Sequence, residues 1–353
     1  MKKILLVLLG VFLVGQVLSA VDFYGNARIG YWYDMQDEDI TGSEARTVMH
    51  YDLFGTSRFG ANFKGEAYTG KVEFSLSGAG AKLRQIWGEY DFGNLKILIG
   101  QYYTGFFDLP NQATSIISGS ENLMIGYGLM YDSRHPMIKL SLENGMYIIF
   151  MEPKLIDPAS AGGVDALFPK INFGCRLSMG NLMIHPTFGI NMSQYNEDFA
   201  DGGIDESILA YVTAVSTKYC ADKFNILAQI SYGQNVADYG MLTSATVSNA
   251  IWINSEVENA TSMGGYFEFT YKLCPTKNIA AGFGYFSGDR EDLDDPDTAW
   301  TAYLQSKINL HNHMFIVPEI GMINEAEDGM GNTEGSHTYF GLNFQADFDL
   351  SIK

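Results

Sequence analysis

Three groups of residues in this sequence have side chains of types that could support chemistry. Residues 65–71 read Gly-Glu-Ala-Tyr-Thr-Gly-Lys, the glycine and lysine spacing of a phosphate-binding loop, but Val72 stands where that loop needs a magnesium-binding hydroxyl. The six histidines have no zinc-ligand spacing, and no Gly-x-Ser-x-Gly segment supplies a nucleophile. We therefore predict no catalytic residue, no cofactor and no metal centre, and we expect that the protein is not an enzyme.

The third group is an acidic run between residues 289 and 297, which holds six carboxylates. Hard oxygen ligands at this density could collect calcium and bridge to lipopolysaccharide. A run of like charges is also typical of a solvated loop that binds nothing. The sequence leaves both interpretations open.

Charged residues elsewhere alternate with apolar ones along short segments. Within residues 68–77, Lys71 and Glu73 lie on the face opposite a row of apolar side chains if the segment is a strand. Burying that lysine and glutamate in a dry core would be very unfavourable, so the pattern favours a wet interior. Residues 23–33 alternate in the same way and place Arg28 on the wet face.

The composition agrees with a protein made of many such strands. Aromatic residues are 14% of the chain, and there are 38 glycines but only 9 prolines, which favours strands and turns over helices. Beyond the first 20 residues no apolar run approaches the length of a membrane-spanning helix, which excludes a helical membrane protein. Alternation along the whole length therefore predicts an all-β fold, a transmembrane antiparallel β-barrel.

The alternating segments and the turns between them give the number of strands. Tight turns rich in glycine, asparagine and aspartate lie on one side, and long polar connections such as 34–55 lie on the other. We place a turn at Asn144-Gly145 and none at residues 133–135. A turn at residues 133–135 would split the segment 127–142 and give seventeen strands. The predicted sixteen strands are residues 23–33, 56–65, 67–77, 82–92, 95–103, 127–142, 146–153, 168–178, 181–192, 206–219, 223–234, 262–273, 277–287, 298–309, 312–323 and 336–350.

The first 20 residues have the features of a secretory signal peptide. Two lysines precede a short apolar stretch, and small residues near Ala20 suit cleavage after that residue. We predict that residues 21–353 form one barrel domain in an outer membrane of the Gram-negative type. Without Lys2 and Lys3 the chain has 20 basic and 41 acidic residues, a net charge of −21, so nucleic acid is not an expected partner.

Several of these strands resemble those of the general bacterial porins. Residues 57–60, Ser-Arg-Phe-Gly, are similar to the second strand of that family, and residues 83–87, Leu-Arg-Gln-Ile-Trp, are similar to the fourth. The turn at residues 93–94 and the segment 99–102 resemble the hairpin that enters the fifth strand. Residues 131–134, Tyr-Asp-Ser-Arg, resemble the Tyr-Asp-Ser-Pro stretch that follows it. These motifs cover part of the chain.

The resemblance implies a homotrimer in which the connection after strand five folds into each lumen and narrows it. In this sequence that connection runs from residue 104 to about residue 126 and carries Asp108 and Glu121. We therefore expect an inward-folded constriction loop with carboxylates on it.

The resemblance also implies a row of basic residues on the barrel wall that faces this loop. The matching positions are Arg58 and Arg84, and alternation adds Arg28 and Lys71 as neighbours. Arg84 shares a face with Ile86 under strict alternation, so a β-bulge is needed to turn its side chain inwards. Facing rows of cations and carboxylates would create a transverse field that orients dipolar solutes.

This arrangement predicts a porin, a water-filled channel for passive diffusion of ions and small hydrophilic solutes, in contact with outer-membrane lipid and lipopolysaccharide. The acidic balance of the chain favours cations, although basic residues at the constriction could reverse that preference. Two alternatives stay open. A substrate-specific channel, for sugars for example, could use an aromatic track of Tyr24, Trp32, Tyr102 and Tyr103. A structural or adhesive barrel could have a plugged lumen and bind a partner through its loops.

Overall fold

Backbone pairing between antiparallel strands forms most of the structure. The computed structural model describes residues 20–77, 80–106, 124–153, 164–195, 207–240, 246–253 and 256–352. Within these residues no helix is long and apolar enough to cross a membrane. The helical elements are α1 (Glu38–Thr41) and the 3-10 segments Val236–Tyr239 and Thr246–Ser248. The strands are β1 Ala20–Gln36, β2 Arg46–Leu53, β3 Arg58–Lys64, β4 Tyr68–Ser77, β5 Gly80–Asp91, β6 Leu95–Tyr103, β7 Arg134–Leu142, β8 Met146–Met151, β9 Val164–Ala166, β10 Lys170–Cys175, β11 Leu177–Met179, β12 Leu182–Tyr195, β13 Ser207–Cys220, β14 Phe224–Gln234, β15 Ile251–Ile253, β16 Glu256–Glu258, β17 Ala260–Cys274, β18 Lys277–Arg290, β19 Asp297–His311, β20 Met314–Glu327 and β21 Thr333–Ile352.

The sheet closes into a barrel because its first strand pairs with its last. One edge of β1 pairs with β21 from Val21↔Ile352 to Gln36↔His337, and the other edge pairs with β2 and β3. Counting β2 with β3 as one barrel strand, and β9 with β10 and β11 as another, gives sixteen antiparallel strands, while β15 and β16 form a separate hairpin. The predicted sixteen-stranded antiparallel β-barrel is confirmed, and so is the turn at Asn144-Gly145 between β7 and β8.

Alternation decides which side chains face inwards. Along β17, Met263, Phe267 and Phe269 are exposed on the outer surface, whereas Tyr266 and Glu268 between them are buried inside. Other strands follow the same rule. The barrel therefore has an apolar outer surface and a largely polar inner wall, the pattern of a barrel that spans a membrane.

Most of the segment 34–55 is a strand pair, so the long connection predicted there is wrong. β1 continues to Gln36 and β2 begins at Arg46, which leaves residues 37–45 as the connection. Many residues in this segment are polar, so the sequence gives no clear alternation that would predict the pairing. Backbone hydrogen bonds nevertheless join two strands whatever the polarity of their side chains.

The sixth barrel strand begins later than predicted. Pairing in β7 starts at Arg134, and much of the segment 124–133 is buried inside the barrel. Gly126 and Gly128 have φ angles of 93° and 95°, a conformation that L-residues rarely adopt. A Cβ on Gly128 would also lie 2.3 Å from the carbonyl oxygen of Gly265. The two glycines therefore turn the chain inwards and allow it to lie against the wall.

The hydrophobic core lies inside the barrel. Met124, Tyr127 and Leu129 of the inward segment belong to one cluster with Tyr303 and Tyr339 of the wall. Part of the lumen is thus filled by segments that fold back from the loop side. A second cluster contains Phe106, Met130, Ala210, Val212, Ala214, Val236, Tyr239 and Phe286.

Candidate pore constriction

A buried carboxylate, Glu73 of β4, holds together a cluster of cations on the inner wall. Arg84 Nε donates a hydrogen bond of 2.9 Å to its Oε1. Arg58 Nη1 and Lys71 Nζ lie 3.6 and 3.5 Å from its Oε2, and the Tyr24 hydroxyl donates to Oε2 at 2.7 Å. Three of the four predicted basic residues therefore meet at one carboxylate, and this group of side chains is called the Glu73 cluster below.

Strand pairing brings the Glu73 cluster together. Lys71 and Glu73 are two residues apart on β4 and so face the same side, and β3 beside them supplies Arg58. Tyr24 of β1 pairs with Gly60 of β3, where a Cβ would lie 2.6 Å from the tyrosine hydroxyl. The lack of a side chain at this position lets the Tyr24 ring cross β3 and reach the carboxylate on β4.

A β-bulge on β5 turns Arg84 inwards. The register between β4 and β5 shifts beside Glu73, which leaves Arg84 as the extra residue. Arg84 and Gln85 are 9% and 2% exposed, whereas Leu83 and Ile86 on either side are 43% and 52% exposed. Gln85 Nε2 adds a hydrogen bond of 3.1 Å to Glu73 Oε1. The bulge that the sequence requires for an inward-facing Arg84 is present.

Arg28, the fourth predicted basic residue, lies on β1 next to the Glu73 cluster. Its side chain is buried on the inner face, and its backbone amide donates to Ser57 Oγ at 3.0 Å. Asn26, the next inward residue of β1, pairs with Arg58 across to β3. Arg28 therefore extends the basic wall along the first strand.

The four aromatic residues of the predicted sugar track have different surroundings. Lys71 Nζ lies 5.0 Å from the centre of the Tyr24 ring, and Arg84 Nη2 donates to the Tyr103 hydroxyl at 3.2 Å. Tyr102 packs edge-on against Tyr103 with ring centroids 5.9 Å apart. Trp32 instead packs against Phe54 in the hydrophobic core at 5.6 Å. The structure therefore does not arrange these rings as one continuous row.

Both described ends of the segment after β6 are held to β14. Gln229 Nε2 donates to the Phe106 carbonyl oxygen, and Gln229 Oε1 accepts from the Met130 amide, each at 3.1 Å. One side chain therefore anchors both described ends of this segment. Asp108 and Glu121 lie outside the described residues, so their place in a constriction stays a prediction.

Lys170 of β10 forms a second anchor for the inward segments and is fully buried. Its Nζ lies 2.5 Å from Asp132 Oδ2, donates to the carbonyl oxygen of Asp238 and sits 4.3 Å from the centre of the Tyr239 ring. Asn191 Nδ2 donates to Asp238 Oδ2 at 2.7 Å. Sequence reasoning missed this group because no spacing or motif links residues so far apart in the chain.

One buried carboxylate, Glu268, lies on the far side of the barrel, and a second, Glu319, lies nearer the first strand. Glu268 of β17 accepts a hydrogen bond from Tyr303, and Glu319 of β20 accepts one of 2.6 Å from Tyr339. Among the sixteen barrel strands, β5 is the fourth and β17 the twelfth, so they face each other across the lumen. Cations on one wall and a carboxylate on the opposite wall form the kind of charge arrangement that produces a transverse field.

The acidic run at residues 289–297 fits a solvated loop better than a calcium site. Arg290 Nη2 lies 3.1 Å from Asp292 Oδ2, and this hydrogen-bonded pair holds the pKa of the Asp292 carboxyl below its usual range. Asp297 is buried at the start of β19, while the other acidic residues of the run are exposed. The run supplies no group of three metal ligands within the part of the chain that the structure describes.

Comparison with known proteins shows the fold of the chain. No family model matches the sequence, and no curated protein sequence matches it. Among solved structures, the outer membrane channel DcaP of Acinetobacter baumannii is 17% identical, with 93% of this chain and 97% of that chain covered and a TM-score of 0.68. The anion-selective porin from Comamonas acidovorans is 12% identical, with 94% and 100% covered and a TM-score of 0.61.

A third similar structure is OmpT, an outer membrane protein of Vibrio cholerae, in its trimer form. It is 15% identical, with 93% of this chain and 99% of that chain covered and a TM-score of 0.60. Likeness at such low identity concerns the fold. On that ground the chain has the closed β-barrel fold of the bacterial outer-membrane porins.

Proposed function

We propose that this chain forms a water-filled channel for passive diffusion of ions and small hydrophilic solutes. The observation that carries the proposal is the inner wall, where Arg58, Lys71 and Arg84 surround Glu73 inside a closed barrel. Four charged groups in a dry core would be very unfavourable, whereas a lumen can hydrate their outer side. The proposal includes no enzymatic activity.

The same proposal places the barrel in a Gram-negative-type outer membrane, in contact with lipid and lipopolysaccharide. The exposed apolar side chains of the outer surface, such as Tyr31, Ile99 and Phe267, suit a hydrocarbon environment. Export would use the predicted signal peptide, whose residues 1–19 lie outside the described part of the chain. Residues 21–353 would then form one barrel domain.

We further propose a homotrimer. The trimer form of Vibrio cholerae OmpT, whose fold this chain shares, supports this assembly. Chemical cross-linking of the protein in native membranes should give a band at three times the monomer mass. Monomers alone, under conditions that cross-link a known trimer, would contradict the assembly while leaving the channel proposal intact.

We propose a modest cation preference. The net charge of the chain is −19, and Glu268 lies on the wall opposite the Glu73 cluster. The three cations around Glu73 act against this preference. Neutralising Arg58 and Arg84 together as glutamines should therefore strengthen the preference for cations.

The decisive experiment is single-channel recording of the refolded mature protein in a planar bilayer with a salt gradient. Steady conductance steps are expected, with a reversal potential on the cation side. The matched control for the variant with glutamine at Arg58 and Arg84 is Lys96→Gln. This change removes a cation from an exposed ion pair with Asp91 at the barrel end. A reversal potential on the anion side would refute the proposed selectivity.

A plugged barrel that binds a partner is the second candidate, and the packing of the lumen favours it. Met124 and Leu129 are fully buried among side chains of the wall, and Val236 and Tyr239 are buried in a second cluster. If these segments close the passage, correctly folded barrels will give no conductance. The recording described above therefore separates the two candidates.

A further inference from the structure

Two histidines and an aspartate from three strands meet on the inner wall towards the loop side of the barrel. They are Asp34 of β1, His50 of β2 and His337 of β21. Because β1 lies between the other two strands, the pairings Trp32↔His50 and Gln36↔His337 bring both rings close to Asp34. Asp34 and His337 are almost completely buried.

One of the contacts within this triad has the spacing of two ligands in a metal site. His337 Nδ1 lies 3.1 and 3.3 Å from the two carboxylate oxygens of Asp34, and His50 Nε2 lies 3.9 Å from Oδ2. Two ligands of one tetrahedral zinc ion, each about 2.0–2.1 Å from it, are about 3.3–3.4 Å apart. The Asp34–His337 pair already has this spacing.

His50 has to complete the site. The three groups do not yet surround a common point at ligand distances, and His50 needs to approach the carboxylate by about half an ångström. Its side chain is 36% exposed, so its ring has room to move.

We propose that Asp34, His50 and His337 bind one divalent transition-metal ion of the zinc class. Two imidazole nitrogens and one carboxylate oxygen form a set of donors that suits zinc and its neighbours better than calcium or magnesium. Three protein ligands leave a fourth position of a tetrahedral ion for water or a solute.

Neighbouring side chains orient the ligands as they do in established metal sites. Gln36 Nε2 donates to Asp34 Oδ2 at 2.7 Å, and Arg46 Nε donates to Gln36 Oε1 at 2.8 Å. On the other side of the carboxylate, the Trp32 ring stacks on His50 with centroids 5.6 Å apart. The carboxylate is therefore held in a fixed orientation before an ion arrives.

The test is isothermal titration of zinc chloride into the refolded protein in detergent. His311 and His313 could chelate zinc fortuitously, since their rings lie 6.2 Å apart beside the turn between β19 and β20. All measurements therefore use a background in which both are asparagine. We expect one zinc ion per chain in this background.

Variants of the triad then show whether the ion binds there. Asp34→Asn, His50→Gln and His337→Gln should each weaken zinc binding by a hundredfold or more, and Gln36→Ala should weaken it by roughly 10–100-fold through the lost orientation of the carboxylate. Circular dichroism confirms that each variant is folded. Absence of saturable binding in the background protein, or binding unchanged by Asp34→Asn, would overturn the proposal.

The site does not depend on the channel. Conductance in the presence of a chelator measures the proposed channel function separately. Conducting barrels that bind no zinc would refute the metal site alone, and silent barrels that bind zinc would refute the channel alone.

Discussion

Replacement of Lys170 by methionine tests how the inward segments are held. The ammonium group is fully buried and contacts Asp132 and the carbonyl oxygen of Asp238, which lie in two different segments of the lumen. Methionine has a similar volume but no charge, so the change removes both contacts without a large cavity. The segments around residues 132 and 238 should then detach from the wall more often.

The expected magnitude comes from the burial of the pair. Removing one partner of a buried ion pair costs about 3–5 kcal/mol, and loss of two hydrogen bonds that involve a charged group, at about 1.5–3 kcal/mol each, gives a similar figure. His135 Nε2 lies 3.1 Å from Asp132 Oδ1 and can compensate in part, so the lower end of this range applies. A loss of about 3 kcal/mol corresponds to roughly a hundredfold more frequent local opening.

Hydrogen exchange followed by mass spectrometry measures this opening directly. Amides in peptides that cover residues 124–133 and 235–240 should lose about a hundredfold in protection, while the strands of the barrel keep theirs. Lys96→Met is the matched control, because its ion pair with Asp91 is exposed and worth at most about 1 kcal/mol. If both variants have the same small effect, Lys170 is not the anchor and the reasoning is wrong.

The remaining contacts predict three more outcomes. Glu73→Gln removes the carboxylate that three cations share, so the reversal potential should shift towards anions; an unchanged potential would mean that the cluster lies away from the ion path. Gly128→Ala places a Cβ 2.3 Å from the Gly265 carbonyl oxygen at a φ of 95°. It should destabilise the inward segment by about 1–3 kcal/mol and make the conductance noisier, and quiet channels with unchanged hydrogen exchange would refute this. Slight burial raises the pKa of Asp37. Hydrogen bonds from neighbouring groups, among them the backbone amides of Ile40 and Ser336, outweigh this effect and hold the pKa below its usual range. The ionised Asp37 therefore stabilises this segment at neutral pH, and the stabilisation is lost as the pH falls through the lowered pKa. Acid should increase hydrogen exchange in residues 37–45 of the wild type, and it should increase exchange much less in Asp37→Asn.

The sequence predicted correctly which charged side chains of the barrel wall face inwards. Lys71 and Glu73 alternate with apolar residues, and in a pleated strand this alternation alone assigns them to the inside. The bulge at Arg84 could also be predicted, because Arg84 and Ile86 share a face under strict alternation although one is charged and the other apolar. Turn residues such as Asn144-Gly145 fixed the number of strands for a similar local reason.

Only the tertiary structure decided which inward residues meet. Alternation assigns a side chain to a face, but the register between strands and the closure of the barrel determine its neighbours. Asp34 and His337 are 303 residues apart in the chain, and they meet because the first strand pairs with the last. Lys170 reaches Asp132 and Asp238 because two connections fold back into the lumen. The path of these two connections depends on packing inside the barrel. Their sequences have no regular period from which this path could be predicted.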